Sequence, residues 1–564
     1  MTYPSILDRL LDDAGAHGDR PALTFLGREG KQVQTFAGLA DDALRVAARL
    51  GERGARGERV LMICPTSPEY ASVFYGCLLA GAVPVPVYLP SVAHFRSAWS
   101  KISAIARDSG AAFAIAPAPL PDGEILAALP GFRGWLHFAD LLAGTAERTI
   151  ELPGHDDLAF LQYTSGSTGH PKGVMVTHDR LAHNASAVAR AVGADHTTTT
   201  ISWLPLYHDM GIIGSLISPL YWGAHVVKMT PQNFASRPTS WLKAISEHQG
   251  VLSYAPNFAY ELCSRKVTEA ELAELDLSSW RVAVNGAEPI REATIRRFAD
   301  RFASTGFTPG DMHFAWGMAE TTLVVTTRPW GGGDPALRVG DRSYVRCGPA
   351  LEGMTVIIAD PRTGRECAQG EVGEIWVHGP SVTAGYWQRP DLTEEIFHAR
   401  VPGRDESFLR TGDLGVISPD GEVVIVGRHK DLIVVNGVNH YPQDVEYTVE
   451  QVHPGLRGGC TAAFSTEPTG DVPQAEAAIV VAEASGTAHE LAELITEIRL
   501  AVAKEHDLVL DGVFLVEPRS VPKTTSGKIQ RRASRDMLLS GRFPVLAGWV
   551  SPALPDLEPA AAAR

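Results

Sequence analysis

Cysteine, positive charge and long apolar runs are all scarce in this chain. Its 564 residues include six cysteines, Cys64, Cys77, Cys263, Cys347, Cys367 and Cys460, and no two form a Cys-x-x-Cys pair. Several sit among apolar neighbours, which fits small buried thiols in a reducing compartment. Acids outnumber bases and leave a formal net charge of −15. Nucleic-acid binding rests on basic patches, so the balance argues against it as the main partnership; one local basic loop stays compatible with ATP. No apolar run reaches the length of a bilayer span, so stable membrane insertion is not expected. Residues 1–20 carry acids and no long apolar core, unlike a secretory signal, and a cytoplasmic location follows by default. The spacings of a Walker A loop and of a Gly-x-Gly-x-x-Gly fingerprint are missing, which disfavours P-loop NTPases and nicotinamide enzymes. No internal repeat and no Asp-Ser-Leu-like carrier site is visible.

What is present is size and one glycine-rich turn. Length suggests about three or four domains, and 45% hydrophobic with 20% charged residues is ordinary for a globular enzyme. The apolar run 158–162 leads into Tyr163-Thr164-Ser165-Gly166-Ser167-Thr168-Gly169-His170-Pro171-Lys172-Gly173, and the strand-like Val174-Met175-Val176 leads out. Glycine lets the main chain turn tightly and approach a ligand. Successive N–H groups and hydroxyls suit phosphate oxygens, and Lys172 adds a mobile positive charge. A polar hairpin is the plainer reading of a Ser/Gly turn.

Residues 1–57 read as helix, short strands and helix, with Gly51 as a C-cap. A β-α-β unit follows: strand 59–64, a helix capped by Ser67 with Pro68 at its first position, and strand 83–88. Beyond the turn come helix 179–192, strand 199–204, the polar break Leu206-Tyr207-His208-Asp209-Met210-Gly211, an apolar helix 212–220 and strand 226–229. Strand 281–285 runs into Gly286-Ala287-Glu288-Pro289, and Phe314 opens a break, Ala315-Trp316-Gly317-Met318-Ala319-Glu320. This alternation predicts parallel sheets covered by helices, with ligands at the strand ends. From Val345 the chain turns β-rich. Around 427–431 it passes into a smaller domain: strand 432–435, helix 442–452, strands 460–464 and 477–481, and a helix with Leu491, Leu494, Ile495, Ile498 and Val502 at helical spacing. A last strand 513–516, a polar loop 522–528 and a basic helix complete it. Residues 552–564 read as a frayed tail.

The spelling of the turn resembles the phosphate loop of the adenylate-forming (acyl-activating) superfamily. Its members couple a carboxylic acid to AMP and, in most branches, pass it to a thiol. Three further stretches match in order: Trp316-Gly317-Met318-Ala319-Glu320; Thr411-Gly412-Asp413 with Gly427-Arg428-His429-Lys430-Asp431; and Pro522-Lys523-Thr524-Thr525-Ser526-Gly527-Lys528-Ile529-Gln530-Arg531. The resemblance spans residues 20–532. It implies an α/β fold: a large N-terminal domain, 1–428, with parallel sheets covered by helices plus a β-rich part, and a smaller mobile α+β C-terminal domain, 429–564.

The resemblance also implies roles. Thr164, Ser165, Gly166, Ser167, Thr168, Gly169 and Lys172 hold the phosphates of ATP. Gly286, Ala287 and Glu288 wall the adenine through main-chain groups. Trp316 lies against adenine, followed by Gly317, Met318 and Ala319, and Glu320 helps hold Mg²⁺. Asp413 accepts hydrogen bonds from ribose hydroxyls and Arg428 contacts the nucleotide. His208 lies near the acyl carboxylate. Lys430 is the hinge, and Lys528 stabilises the adenylation transition state, where a point charge suits pentacovalent phosphate. Trp316 departs from the usual Tyr, which keeps stacking and loses the phenol oxygen.

Within the superfamily, Trp203-Leu204-Pro205-Leu206-Tyr207-His208-Asp209-Met210-Gly211 and Asn436-Gly437-Val438-Asn439-His440-Tyr441-Pro442-Gln443-Asp444-Val445-Glu446 resemble fatty acyl-AMP ligases, which charge the phosphopantetheine of an acyl carrier protein. Two features depart from that branch. Glu320 and Glu374 are only 54 positions apart, nearer the length of acyl-CoA ligases that lack the branch's extra segment, and Val438 replaces its common arginine. The acceptor therefore stays open between CoA and a carrier. Two alternatives also stand: a relative retaining only the acyl-AMP-to-thioester half-reaction, and a non-catalytic nucleotide-binding relative.

Overall fold

The structure, a computed structural model, describes residues 3–27, 30–89, 95–145, 150–164, 171–331, 333–340, 342–435, 438–466, 477–524 and 527–552. The proposed frayed tail lies outside them except for Pro552. Two compact units divide the chain: residues 1–371, 376–411 and 417–424 make the first, and 372–375, 412–416 and 425–564 the second.

The first unit contains an eight-stranded sheet in the order Val324–Pro329, Met312–Gly317, Val282–Asn285, Leu252–Ala255, Thr199–Ser202, His225–Met229, Pro21–Gly27, Gly30–Thr35. Its inner pairings are parallel and both edge strands are antiparallel. A second sheet, in the order Val83–Val87, Arg59–Ile63, Phe113–Ala116, Gly134–His137, is parallel throughout. Pro84 and Pro86 are tolerated because their strand is an edge, where a missing N–H costs no ladder bond. The expected α/β architecture is therefore present. The short stretch after Glu320 holds a two-stranded hairpin, Ala336–Val339 with Arg342–Val345.

The second unit has a four-stranded sheet in the order Leu456–Thr466, Ala477–Ala484, Gly512–Val516, Val545–Val550. One face buries Leu491, Leu494, Ile495, Ile498 and Val502. These belong to the helix Ala488–His506, which opens on a capping box between Thr487 and Glu490. The other face carries Phe464, Ile479, Val481 and Phe514, with Met537 and Leu538 packed against it.

Several expected details are corrected. Gly51 lies inside the helix Phe36–Glu52, whose cap is Arg53; the left-handed residue is Gly54, at φ +64°. Ser67 makes no side-chain cap: the helix is Glu69–Leu79, capped by Pro68, and only the Ser67 carbonyl accepts, from Tyr70 N at 3.2 Å. Ala315 to Gly317 form no break but continue the strand Met312–Gly317. Val513 to Val516 is not the last strand, because Val545–Val550 pairs antiparallel beside it. The apolar stretch after His208 is a π-helix, Met210–Ile217, before a short α-turn Ser218–Tyr221.

Candidate active site

The glycine-rich turn joins two antiparallel strands, Leu158–Thr164 and Lys172–Thr177, with Thr164 directly opposite Lys172. The two strands thus pair as the arms of a hairpin. Ser165, Gly166, Ser167, Thr168 and Gly169 lie outside the described residues. The hairpin is also tied sideways: Met175 N donates to Gly385 O at 2.9 Å and Trp387 N to Gly173 O at 2.8 Å. That strip carries Tyr386, whose ring lies 5.1 Å from the Lys172 ammonium. Tyr386 Oη donates to Glu320 Oε1 at 2.8 Å. The strip therefore brings Lys172 to the ring and Glu320 to the hydroxyl of one tyrosine. Nothing in the sequence motifs pointed to Tyr386, because it comes 66 residues after Glu320.

Glu320 sits in a 3₁₀ turn, Ala319–Thr321, preceded by Met318. Its carbonyl accepts from Thr383 N at 2.9 Å and Thr383 Oγ1 at 3.1 Å. Thr322, just beyond, is left-handed at φ +66°, and its hydroxyl donates to Ser381 O at 2.8 Å. The turn is thereby fixed from outside, and the Glu320 side chain is buried. Trp316 is buried one strand position before Gly317. A Cβ on Gly317 would stand 1.8 Å from Leu323 O, so only glycine fits. Gly317→Ala is expected to destabilise the first unit by about 3 kcal/mol, as overpacking against backbone does. Thermal unfolding checks this; an unchanged Tm contradicts it.

Gly286 follows the buried strand end Asn285, and its Cβ would meet Ala315 O at 2.8 Å. The Gly286 backbone therefore lies against the strand that carries Trp316. Ala287 is left-handed at φ +67°, and the Glu288 carboxylate accepts from Phe258 N at 2.5 Å. Asn285 Oδ1 is buried with no hydrogen-bond partner among the described residues. His208 lies on the other flank of the hairpin. Gln162 Nε2 donates to Tyr207 O at 3.0 Å, the Tyr207 and His208 rings are 5.0 Å apart, and His208 O accepts from Gly211 N and Ile212 N at 3.0 and 2.8 Å.

The second unit holds the other predicted residues. Arg428 Nε donates to Asp413 Oδ1 at 2.8 Å, with Asp413 buried and Arg428 largely exposed. Lys430 is exposed in the 3₁₀ turn His429–Asp431. Lys528 is exposed on a tight turn: Lys528 N donates to Thr524 Oγ1 at 3.0 Å, and Thr524 N to Lys528 O at 2.7 Å.

Among the described residues no group of three His, Cys, Asp or Glu is arranged to hold a metal. This does not conflict with Mg²⁺ at Glu320. Mg²⁺ keeps several waters and is bound through one or two carboxylates plus substrate phosphates, not by a full protein cage. A single buried carboxylate oriented by Tyr386 fits that donor set.

A parallel-sheet unit that sets Thr164 and Lys172 opposite each other beside one oriented carboxylate is compatible with a bound nucleotide. The AMP-binding enzyme family matches residues 10–387, and the Disco-interacting protein 2-like AMP domain matches residues 430–547. The chain belongs to the AMP-binding enzyme family. It is 37% identical to the medium-chain-fatty-acid–[acyl-carrier-protein] ligase JamA of Moorena producens, covering 96% of each chain. It is 35% identical to the long-chain-fatty-acid–AMP ligase FadD26 of Mycobacterium marinum, over 96% of this chain and 98% of that one. Among solved structures it is similar to a fatty acyl-adenylate ligase from a study of the Escherichia coli and Legionella pneumophila enzymes. That match has a TM-score of 0.84 at 31% identity, over 95% of this chain and 97% of that one. The resemblance read from the motifs is thereby established. No described helix is long and apolar enough to cross a membrane, and the six cysteines are free thiols, five of them buried.

Proposed function

We propose that this chain activates a fatty or bulky hydrophobic carboxylic acid with ATP and transfers it to the phosphopantetheine thiol of an acyl carrier protein. The observation that carries this is the end-to-end likeness, at 37% identity, to a ligase named for a fatty acid and an acyl carrier protein. CoA is the second candidate acceptor, favoured by the short Glu320–Glu374 spacing. The cysteine pattern supports a cytoplasmic location.

In the first step an acid oxygen attacks the α-phosphorus and pyrophosphate leaves with the electrons of the broken P–O bond. Little covalent help is needed; charge must be neutralised and the reactants held in line. Thr164, the turn hydroxyls and Lys172 hold the phosphates. Gly286, Ala287, Glu288 and Trp316 border the adenine, with Gly317, Met318 and Ala319 leading from Trp316 to Glu320. Asp413 and Arg428 serve the ribose side. Lys528 adds a charge to the transition state, and His208 orients the acid. Mg²⁺, when bound at Glu320, offsets charge on the phosphates. In the second step the thiolate attacks the acyl carbonyl and AMP leaves. The reading of 1–428 and 429–564 as domains that swing about Lys430 separates the two steps.

Product analysis with ATP, a panel of acids and either CoA or a phosphopantetheinylated carrier tests the proposal. Acyl-carrier product with little acyl-CoA is expected. Acyl-CoA as the main product moves the acceptor to CoA, and no acyl-AMP with any acid overturns the function.

A further inference from the structure

A fully buried lysine lies close to the candidate acid site without the carboxylate such a group ordinarily requires. Lys228, on the strand His225–Met229, donates to Ser202 Oγ at 3.0 Å and Ser215 Oγ at 2.8 Å. Ser202 Oγ donates to Ser215 Oγ at 2.9 Å, and Ser215 Oγ to Gly211 O at 2.6 Å. Ser202 also accepts from Leu204 N at 3.1 Å. Every proton in this network has a partner if Lys228 is a neutral amine with two N–H donors; an ammonium would leave one over. Burial pushes its pKa well below that of an ordinary lysine, with no neighbouring charge to oppose the shift. Buried ammonium groups are otherwise paired with carboxylates.

The strand register extends this polar row. Lys228 pairs with Ser202, and Leu252 with Thr200. Two residues along, Tyr254 therefore shares the sheet face of Ser202 and Lys228. The π-helix Met210–Ile217 covers that face. Ser215 reaches Lys228, while a Cβ on Gly214 would stand 3.5 Å from the Tyr254 ring and 3.0 Å from Leu323. The π-helix thus runs from His208, past Leu323 just beyond Glu320, to the lysine. Segments of this geometry concentrate at functional sites. Two further groups on the face, Tyr254 Oη and Thr200 Oγ1, are buried with no hydrogen-bond partner among the described residues. Such orphaned groups call for a water or a ligand.

We infer that Lys228 is a specificity-determining residue, which with Tyr254 receives a hydrogen-bond-accepting oxygen carried by the acid away from its reacting carboxyl group. The inference rests on the proposed acid-activating function. Tyr254 Oη supplies an unused donor. The amine supplies another, by releasing a serine to a neutral oxygen or by taking up a proton beside a second carboxylate.

The test is ATP–pyrophosphate exchange by the full chain with chain-matched acids: decanoic acid against its hydroxy, keto and dicarboxylic analogues. At least one oxygenated acid should exceed decanoic acid in kcat/KM by about tenfold or more, as for sites built to bind a substrate oxygen. Preference for the diacid would identify a carboxylate as the group received, and preference for the hydroxy or keto acid a neutral oxygen. Lys228→Met should bring that ratio towards one, with KM for the acid, not for ATP, carrying the change. Tyr254→Phe, which keeps the ring, should lower it in the same direction if Lys228→Met does not fold. Exchange with decanoic acid as good as with every analogue overturns the inference and leaves the acid-activating function standing. So does an unchanged ratio in both variants, which would make Lys228 only a prop for the π-helix. Exchange with no acid at all overturns the function itself.

Discussion

Lys528→Ala is expected to lower ATP–pyrophosphate exchange by about 10²–10³-fold, the scale of losing one preorganised charge aimed at a transition state. Its thermal unfolding should match the parent. Lys528 is exposed, and its turn is closed by backbone: Gly527 N donates to Thr524 O at 2.9 Å, Gly527 is left-handed at φ +89°, and Lys523 bridges Ile529. The side chain is exposed, so a loss of rate in a normally folded variant is attributable to the missing charge. Exchange at the parental rate in a normally folded variant would remove Lys528 from the chemistry.

Arg531→Met is expected to destabilise the second unit by about 3 kcal/mol, the lower end of what breaking a buried ion pair costs. Arg531 Nε and Nη2 donate to the two oxygens of Glu446 at 2.7 and 2.8 Å, and Nη1 donates to Asp431 Oδ2 at 2.7 Å. Glu446 is buried and also accepts from Ala463 N at 3.0 Å. Without the guanidinium, two carboxylates are left close together, one of them deep in the unit. Urea unfolding followed by hydrogen exchange in the helix Pro442–Val452 gives the readout. Adding Glu446→Gln should restore part of the loss, because the orphaned charge goes with it. Parental protection in the single variant would contradict the prediction.

The family was legible because it rests on short strings whose chemistry is local. Glycines, hydroxyls and a lysine between two apolar runs describe a hairpin tip whatever surrounds it. The rest depends on partners far along the chain. Residues 212–220 read as an ordinary apolar helix after a polar break; that Met210–Ile217 is a π-helix over Lys228 and Ser202 becomes visible only in the fold. Trp316 reads as loop because its strand is short and ends at a glycine, yet register with Thr326 keeps it in the sheet. Tyr386 carries no motif at all and is found only through Glu320. The strand Val545–Val550 interrupts its apolar pattern with Ala547 and Gly548, so its pairing with Gly512–Val516 could not be foreseen.

The sideways tie of the hairpin has a mechanical consequence. Lys172 and Tyr386 belong to neighbouring extended segments stitched by Trp387 N to Gly173 O and Met175 N to Gly385 O. On the proposed function, a shift of the lysine's strand as phosphates arrive would carry the tyrosine with it, and with the tyrosine the carboxylate that accepts from its hydroxyl. Nucleotide docking and cation placement would then be one movement of a shared lever, not two independent adjustments.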